Sequence, residues 1–426
     1  MPRRHATNTP DSVPAIMAPP ITRDNPLTRS AAGIIGMVFL AVMVVACLGT
    51  LPWTLASNHG VPRYNAGVPV EGRLPPSWVP PDASDVDRLM QAVRARATND
   101  PDVRAKLELI AADAGLSVDE ALDARDGVVY QRLKSLWPSR FLGTDQLGRS
   151  LFIRVLTGGG ISLGIGIAAA LLSVCIGTLY GALAGYAGGK TDALMMRIVD
   201  ILYGLPYILL VVLLAVAVDA IVENIAYEHV RQKAEQRQAY VDQKVAALGS
   251  PPDDETLSAF RSEAMAKIGS GELGEGSQNA INVVTLLVAI GGVSWLTMAR
   301  VIRGQVLSLK NQPFVEAARA IGAPTRRIFS KHLLPNLVGP IIVYATLAVP
   351  QAILQESFLS FLGIGVKPPL PSWGNLAAEG LVELNQYKSH WWLLFFPCLL
   401  LGLTLLALNF VGEGLREALD PKRARR

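Results

Sequence analysis

Charge is what this sequence has least of. Only 17% of its 426 residues are Asp, Glu, Lys or Arg, while 50% are hydrophobic. A soluble domain carries roughly a quarter of its residues as charges. The shortage is uneven, because long apolar blocks carry almost no charge and the charged residues crowd between them. One large soluble core is thereby excluded, and a multi-pass membrane protein is implied. Cysteine is also scarce. Cys47, Cys175 and Cys398 each lie inside an apolar block, and no CxxC pair or His/Cys cluster accompanies them. A disulfide framework and a zinc site are excluded, so the three are read as small packing residues. His5, His59, His229 and His390 are scattered without a ligand partner at useful spacing, so no metal or other cofactor is expected. There is no internal repeat of fixed period. Gly189-Lys190-Thr191 reads like the end of a phosphate-binding loop, but Ala184 stands where that motif needs its first Gly, and an apolar helix precedes it rather than a strand. No other such motif occurs.

What the chain does contain is six apolar segments, at 31–51, 161–186, 194–218, 281–301, 337–357 and 392–412. Each is close to the length needed to span a bilayer, about 20 residues at about 1.5 Å rise. Helices are the natural form there, because lipid leaves every backbone amide to be satisfied internally. The first segment runs unbroken from Ala31 to Leu51 behind a polar leader with Arg3, Arg4, Arg23 and Arg29. A cleavable signal has a shorter apolar run, about 7–15 residues, so a retained anchor is expected. Short loops rich in Lys and Arg belong on the cytoplasmic side. The stretch between segments four and five holds Arg300, Arg303, Lys310, Arg319, Arg326, Arg327 and Lys331 against the single acid Glu316. The leader, the Lys190/Arg197 turn and the tail from Arg416 are basic too. With six helices threaded in order, all four fall on one side, and both ends are expected inside the cell.

This divides the chain into a cytoplasmic leader (1–30), a first membrane helix (31–51), an outer segment (52–140), a membrane core (141–222 and 281–415) with an outer insertion (223–280), a cytoplasmic loop (302–336) and a basic tail (416–426). In the outer segment 84–135 reads as helical, with Leu89, Met90, Val93, Leu107, Leu109 and Ile110 among charges. The insertion is acidic on balance and Gly/Ser-rich near 269–277. Gly160/Gly164 and Gly177/Gly181/Gly185 are spaced four apart in the second segment, which suits close helix packing in lipid.

The stretch Asn311 to Asn336, NQPFVEAARAIGAPTRRIFSKHLLPN, carries the strongest local signal. Pro313 suits a first helical turn, where its missing N–H costs nothing. Glu316 is favourable near the positive helix end. Ala317, Ala318 and Ala320 favour helix and leave a slim surface. Gly322 fits a C-terminal cap with positive φ, Pro324 opens a second helix, and Pro335 is expected to stop it. A slim helix on a short loop suits docking in a partner's groove, and an ordinary amphipathic loop on the basic side remains the plainer alternative.

The same stretch resembles the EAA loop of ABC-importer permeases: Glu316, Ala317 and Ala318, then Gly322 after three residues, and Leu334-Pro335 at the far end. His332 departs from the family's Ile, with the spacing kept. FLGTDQLGRS (141–150), AGYAGGKTDALMMRIVDIL (184–202), ESFLSFLGIGVKPPLPSWGN (356–375) and ALDP (418–421) resemble the second permease of the dipeptide, oligopeptide and nickel importers. The resemblance covers about 139–222 and 281–422. It implies an all-α membrane fold of six helices with two extended outer loops. It also implies a coupling helix that docks on ATP-binding subunits, with Glu316, Ala317, Ala318, Gly322, Arg326, His332, Leu334 and Pro335 as coupling residues. The implied partners are a homologous permease, two ATP-binding subunits that hydrolyse ATP, and an outer substrate-binding protein, all at an inner membrane. The chain itself would then be no enzyme, and short peptides or similar small solutes would be the cargo.

Charges near membrane depth mark functional positions by default. Asp200, three residues after Arg197 and on one face with it, is expected to pair with it. Asp219 and Glu356 are expected near outer helix ends, snorkelling or pairing there, and for Asp200, Asp219 and Glu356 alike a role in gating or in handling a charged peptide terminus is the alternative. An ion-driven transporter would show paired broken helices in two halves, and none is apparent. A membrane-anchored sensor would explain the outer segments but not the 311–336 loop.

Overall fold

A computed structural model describes residues 31–58, 60–138, 140–248, 251–272, 274–385 and 388–419. The leader 1–30, the end of the basic tail and the Asp420-Pro421 half of the ALDP ending lie outside the described residues. Six described helices are long and apolar enough to cross a membrane, as the hydropathy pattern requires. They are α1 (Ala31–Leu55), α6 (Leu151–Ala187), α8 (Tyr207–Leu248), α10 (Glu275–Leu309), α13 (Leu334–Phe361) and α15 (Trp392–Leu419). Around them lie α2 (Ala83–Asn99), α3 (Pro101–Asp113), α4 (Val118–Asp123) and α5 (Gly127–Leu133) in the first long connection, then α7 (Gly189–Tyr203), α9 (Asp254–Ile268), α11 (Pro313–Ala320), α12 (Thr325–Ile328) and α14 (Trp373–Val382).

Helix α6 is the centre of the bundle. A Cβ on Gly177 would come within 2.5 Å of Met298 Cβ, and one on Gly185 within 2.9 Å of the Arg303 carbonyl oxygen. A Cβ on Gly181 would overlap the Ala299 carbonyl. These glycines therefore let α6 and α10 approach backbone to backbone, the close packing that small residues permit in lipid. Gly160 does the same against Cys47 and Leu51 of α1, whereas Gly164 faces open space.

Residues 83–136 form a small helical lobe around Val86, Met90, Val93, Leu107, Leu122 and Leu133. Its helices begin where the sequence supplies caps. Asp82 and Asp85 form a capping box at α2, Ser117 and Glu120 another at α4, and Pro101 follows the Asp100 cap of α3. Leu109 faces outward. The bundle end bearing this lobe is called the lobe end, and the opposite end, bearing 310–333, the loop end.

Three expectations change. The third apolar segment, 194–218, is not one helix. Gly204, Leu205 and Pro206 break it, because Pro has no N–H to give and disfavours helix in the residue before it. The amphipathic α7 packs on α10, and the span begins at Tyr207. The 223–280 insertion is not a loop hung between helix ends. Helix α8 runs on unbroken to Leu248, about 63 Å at the helical rise, and α9 folds back along it, held by Tyr240 to Glu263 at 2.7 Å and Lys244 to Glu263 at 3.2 Å. Pro335 does not stop a helix. Residues 329–333 form a π turn that carries α12 into α13, with Pro335 in the first turn of α13. Leu334 N–H bonds Phe329 O, five residues back, and through that wider turn the helix continues past the residue that has no N–H to give.

Candidate functional site

At the loop end, Pro313 stands in the first turn of α11 and Glu316 in the same turn, exposed. The helix ends in a Schellman motif: Gly322 N–H donates to Arg319 O at 2.9 Å and Ala323 N–H to Ala318 O at 3.0 Å. Gly322 has φ +75°, the left-handed conformation that the sequence pattern anticipates. Val315 and Ala318 are buried against Ile302, Val306, Ile328 and Leu333. The opposite face is bare: Glu316 and Ala317 are exposed, Phe314 is 40% and Ile321 85% exposed. The loop is tied to the bundle by Lys310 Nζ donating to Gly185 O at 2.9 Å and by Arg319 over the Tyr186 ring. Arg326, Leu334 and Pro335 are exposed, and His332 lies beside Phe314, ring centroids 6.4 Å apart. The result is a short helix with one side seated on the bundle and the other presenting apolar knobs and a carboxylate. Ile321, the most exposed of these, went unnoticed because a lone Ile beside a cap glycine carries no sequence signal.

Behind this loop, Arg303 forks onto Asp192 at 2.5 and 2.7 Å, holding that carboxyl below its usual range. Asp200 pairs with Arg300 at 2.8 Å rather than with Arg197. Packing of α7 on α10 brings an arginine from another helix closer than the one on its own.

The lobe end gathers the two signature segments. Asp145 accepts from the Leu147 and Arg149 backbone amides, both at 2.9 Å, and from the side chains of Arg149 at 2.6 Å and Arg154 at 2.7 Å. Arg154, 1% exposed, also pairs with Glu379 of α14. Trp373 is buried, its indole donating to Val155 O at 3.2 Å. Glu356 does not snorkel. It is wholly buried, accepts from the Ser360 hydroxyl at 2.7 Å and the Ser357 hydroxyl at 3.2 Å, and has Ser162 and Ser372 beside it. Three of those hydroxyls accept in turn from backbone amides of the returning segment: Val366 to Ser360 at 3.0 Å, Trp373 to Ser162 at 3.2 Å, Asn375 to Ser372 at 3.3 Å. The serine hydroxyls around Glu356 thus fasten segment 362–375 to α6 and α13. Asp219 pairs with Lys367 at 2.9 Å. The lobe is clasped to the bundle by Arg73, which forks onto Glu383 at 2.8 and 2.9 Å, and by Lys388, 2.5 Å from Asp85. Arg73 holds the Glu383 carboxyl below its usual range, and burial lowers the neighbouring His390. His390 Nδ1 approaches Glu383 to 2.9 Å, out of line for a hydrogen bond and an ion pair only when the imidazole is protonated. In mid-bundle, Tyr207 of α8 bonds Ser294 of α10 at 2.7 Å and Gln355 of α13 at 2.8 Å, a polar group that no charge or motif advertised.

Residues 177–425 match the family described as binding-protein-dependent transport system inner membrane component. The oligopeptide transport system permease protein OppC of Haemophilus influenzae is 42% identical over 282 residues, 66% of this chain and 70% of that protein. The dipeptide transport system permease protein DppC of Bacillus subtilis is 41% identical over 299 residues, 69% of this chain and 74% of that protein. OppC of Escherichia coli K12 is 39% identical over 302 residues, 71% and 79% of the two chains. With six membrane-length helices and a match over more than half its length, the chain belongs to this family of inner-membrane permeases of ABC importers.

Proposed function

We propose that this chain is one of two homologous permeases of a peptide importer. One of two separate ATP-binding subunits docks on its 302–336 loop, and an outer binding protein delivers cargo to its lobe end. The observation that carries the reading is α11, seated on the bundle through Val315 and Ala318 while Phe314, Glu316 and Ile321 stand exposed on its other side. The names of the similar permeases supply the cargo class, peptides. The basic loop end is the cytoplasmic side, so both chain ends lie inside and the lobe and the α8–α9 projection lie outside. Movement of α11 when ATP binds would reach the spans through α12 and the π turn into α13, and through Lys310 into α6.

Glu316→Lys and Ile321→Asp test the docking. Purified with its partners, each variant is expected to insert normally, lose ATPase subunits on washing and transport at a small fraction of the unmodified rate. Full subunit retention with unmodified uptake in both would remove the coupling assignment. Sidedness is read with single thiols in a cysteine-free background: Ser258→Cys is expected to react with an impermeant reagent in whole cells and Ser330→Cys to be protected. The reverse pattern would invert the topology.

A further inference from the structure

The polar group in mid-bundle points to where cargo passes. At about 100° per residue, Tyr344, Gln351, Gln355 and Phe358 fall on one face of α13, continued by Leu362 just past its end and opposite the face that buries Ile353 and Ser360. Tyr344, Phe358 and Leu362 are 37%, 42% and 50% exposed, Gln351 is exposed and Gln355 half-buried. Gln351 lies ten residues before Phe361, about 15 Å along the helix, well within the spanning segment. Its amide has no hydrogen-bond partner among the described residues. Gln355 Oε1 accepts from Tyr207 at 2.8 Å and from Ser294 at 3.4 Å, which leaves its amide nitrogen without a partner among the described residues.

An amide facing lipid tails is costly, and polar side chains at membrane depth turn instead toward protein or a water-filled cavity. Among the described residues nothing covers this face at Tyr344, Gln351 and Phe358, and no charged residue lies on it. We propose that this α13 face, with Tyr207 and Ser294 beside it, is the chain's wall of the translocation passage, and that its uncharged amides and hydroxyls exchange hydrogen bonds with the backbone of a peptide cargo. The second half of this statement rests on the peptide-importer reading; the first needs only that the chain is a permease. Neutral groups suit the task, because they satisfy peptide amides one after another without trapping a charged end. Glu356, about 100° further round the helix from Gln355, is buried in its serine cluster and takes no part.

The test uses the assembled importer with Cys47, Cys175 and Cys398 replaced by Ala. Gln351→Cys is compared with Val42→Cys on the apolar outer surface of α1, using a cationic methanethiosulfonate as probe. Gln351→Cys is expected to react at least tenfold faster than Val42→Cys, with a rate that changes between nucleotide-free and ATP-bound states. Equal, slow rates at the two positions would place Gln351 in lipid or in a dry subunit interface and overturn the passage wall, while leaving the importer reading intact. Uptake kinetics with trialanine and the binding protein test the second half. Gln351→Leu is expected to raise KM several-fold more than kcat falls, and Gln351→Asn to recover part of the loss. An unchanged KM in Gln351→Leu would overturn cargo contact. No trialanine uptake by the unmodified importer would overturn the peptide reading without altering the thiol result.

Discussion

Replacing Gly322 by valine isolates the proposed docking role of the 302–336 loop from everything else in the chain. No atom lies within 4 Å of where a Cβ on Gly322 would sit, so the substitution meets no steric obstacle. What it meets is its own backbone, at φ +75°. An L-residue held there costs about 1–2 kcal/mol, with β-branched residues at the upper end. The chain escapes by giving up the Schellman bonds from Gly322 to Arg319 and from Ala323 to Ala318. That frees Ile321 and the end of α11 from their set positions. If the strain is taken wholly from docking, retention of the ATP-binding subunits falls about 5–30-fold. The assay is a titration of ATPase subunit against purified permease pair, followed by ATP hydrolysis and uptake in vesicles. Asn tolerates positive φ better than other non-glycine residues, so Gly322→Asn is expected close to the unmodified affinity, with Gly322→Val far weaker. Equal affinity for Val and Gly, or equal loss for Asn and Val, would refute the argument that backbone handedness at this position sets the docking geometry.

Two further outcomes follow from packing and charge. Gly181→Ala puts a methyl into the Ala299 carbonyl, so α6 and α10 must separate at a cost of about 1–3 kcal/mol. Lower thermal stability of the detergent-solubilised subunit is expected, and an unchanged melting temperature would contradict the close contact. The clasp of the lobe depends on pH. His390 and Glu383 both have folded values below their ordinary ones, so the unfolded form binds more protons. Their stabilisation is fully present above the unfolded values, and it is lost as pH falls through the folded ones, His390 starting below about 6.5 and Glu383 below about 4.3. Protease cleavage within 83–136 should therefore rise as pH drops from 7 to 5, and the rise between 7 and 6 should vanish in His390→Gln; a flat profile would refute it.

The sequence by itself determined the membrane class, the number of spans and the start and cap of the short helix in the 302–336 loop. Each of these is governed by short-range chemistry: runs of apolar residues set against bilayer thickness, Pro at a helix start, Gly at a left-handed cap. The lobe was legible as helical for the same reason, its caps being local side-chain-to-backbone bonds. What lay beyond local rules was decided by packing. Nothing along the chain says that Asp200 meets Arg300 rather than Arg197, since that depends on how α7 lies across α10. Composition alone made 223–280 look like a loop, yet its helix continues a span, because no Pro or Gly interrupts 207–248 and α9 packs along it. Glu356 looked like an interfacial charge until four serines, from three separate parts of the chain, closed around it. The uncovered face of α13 is the extreme case. Gln351, Gln355, Tyr207 and Ser294 are ordinary residues in sequence, and only tertiary structure shows which of them meet and which side of α13 the chain leaves uncovered.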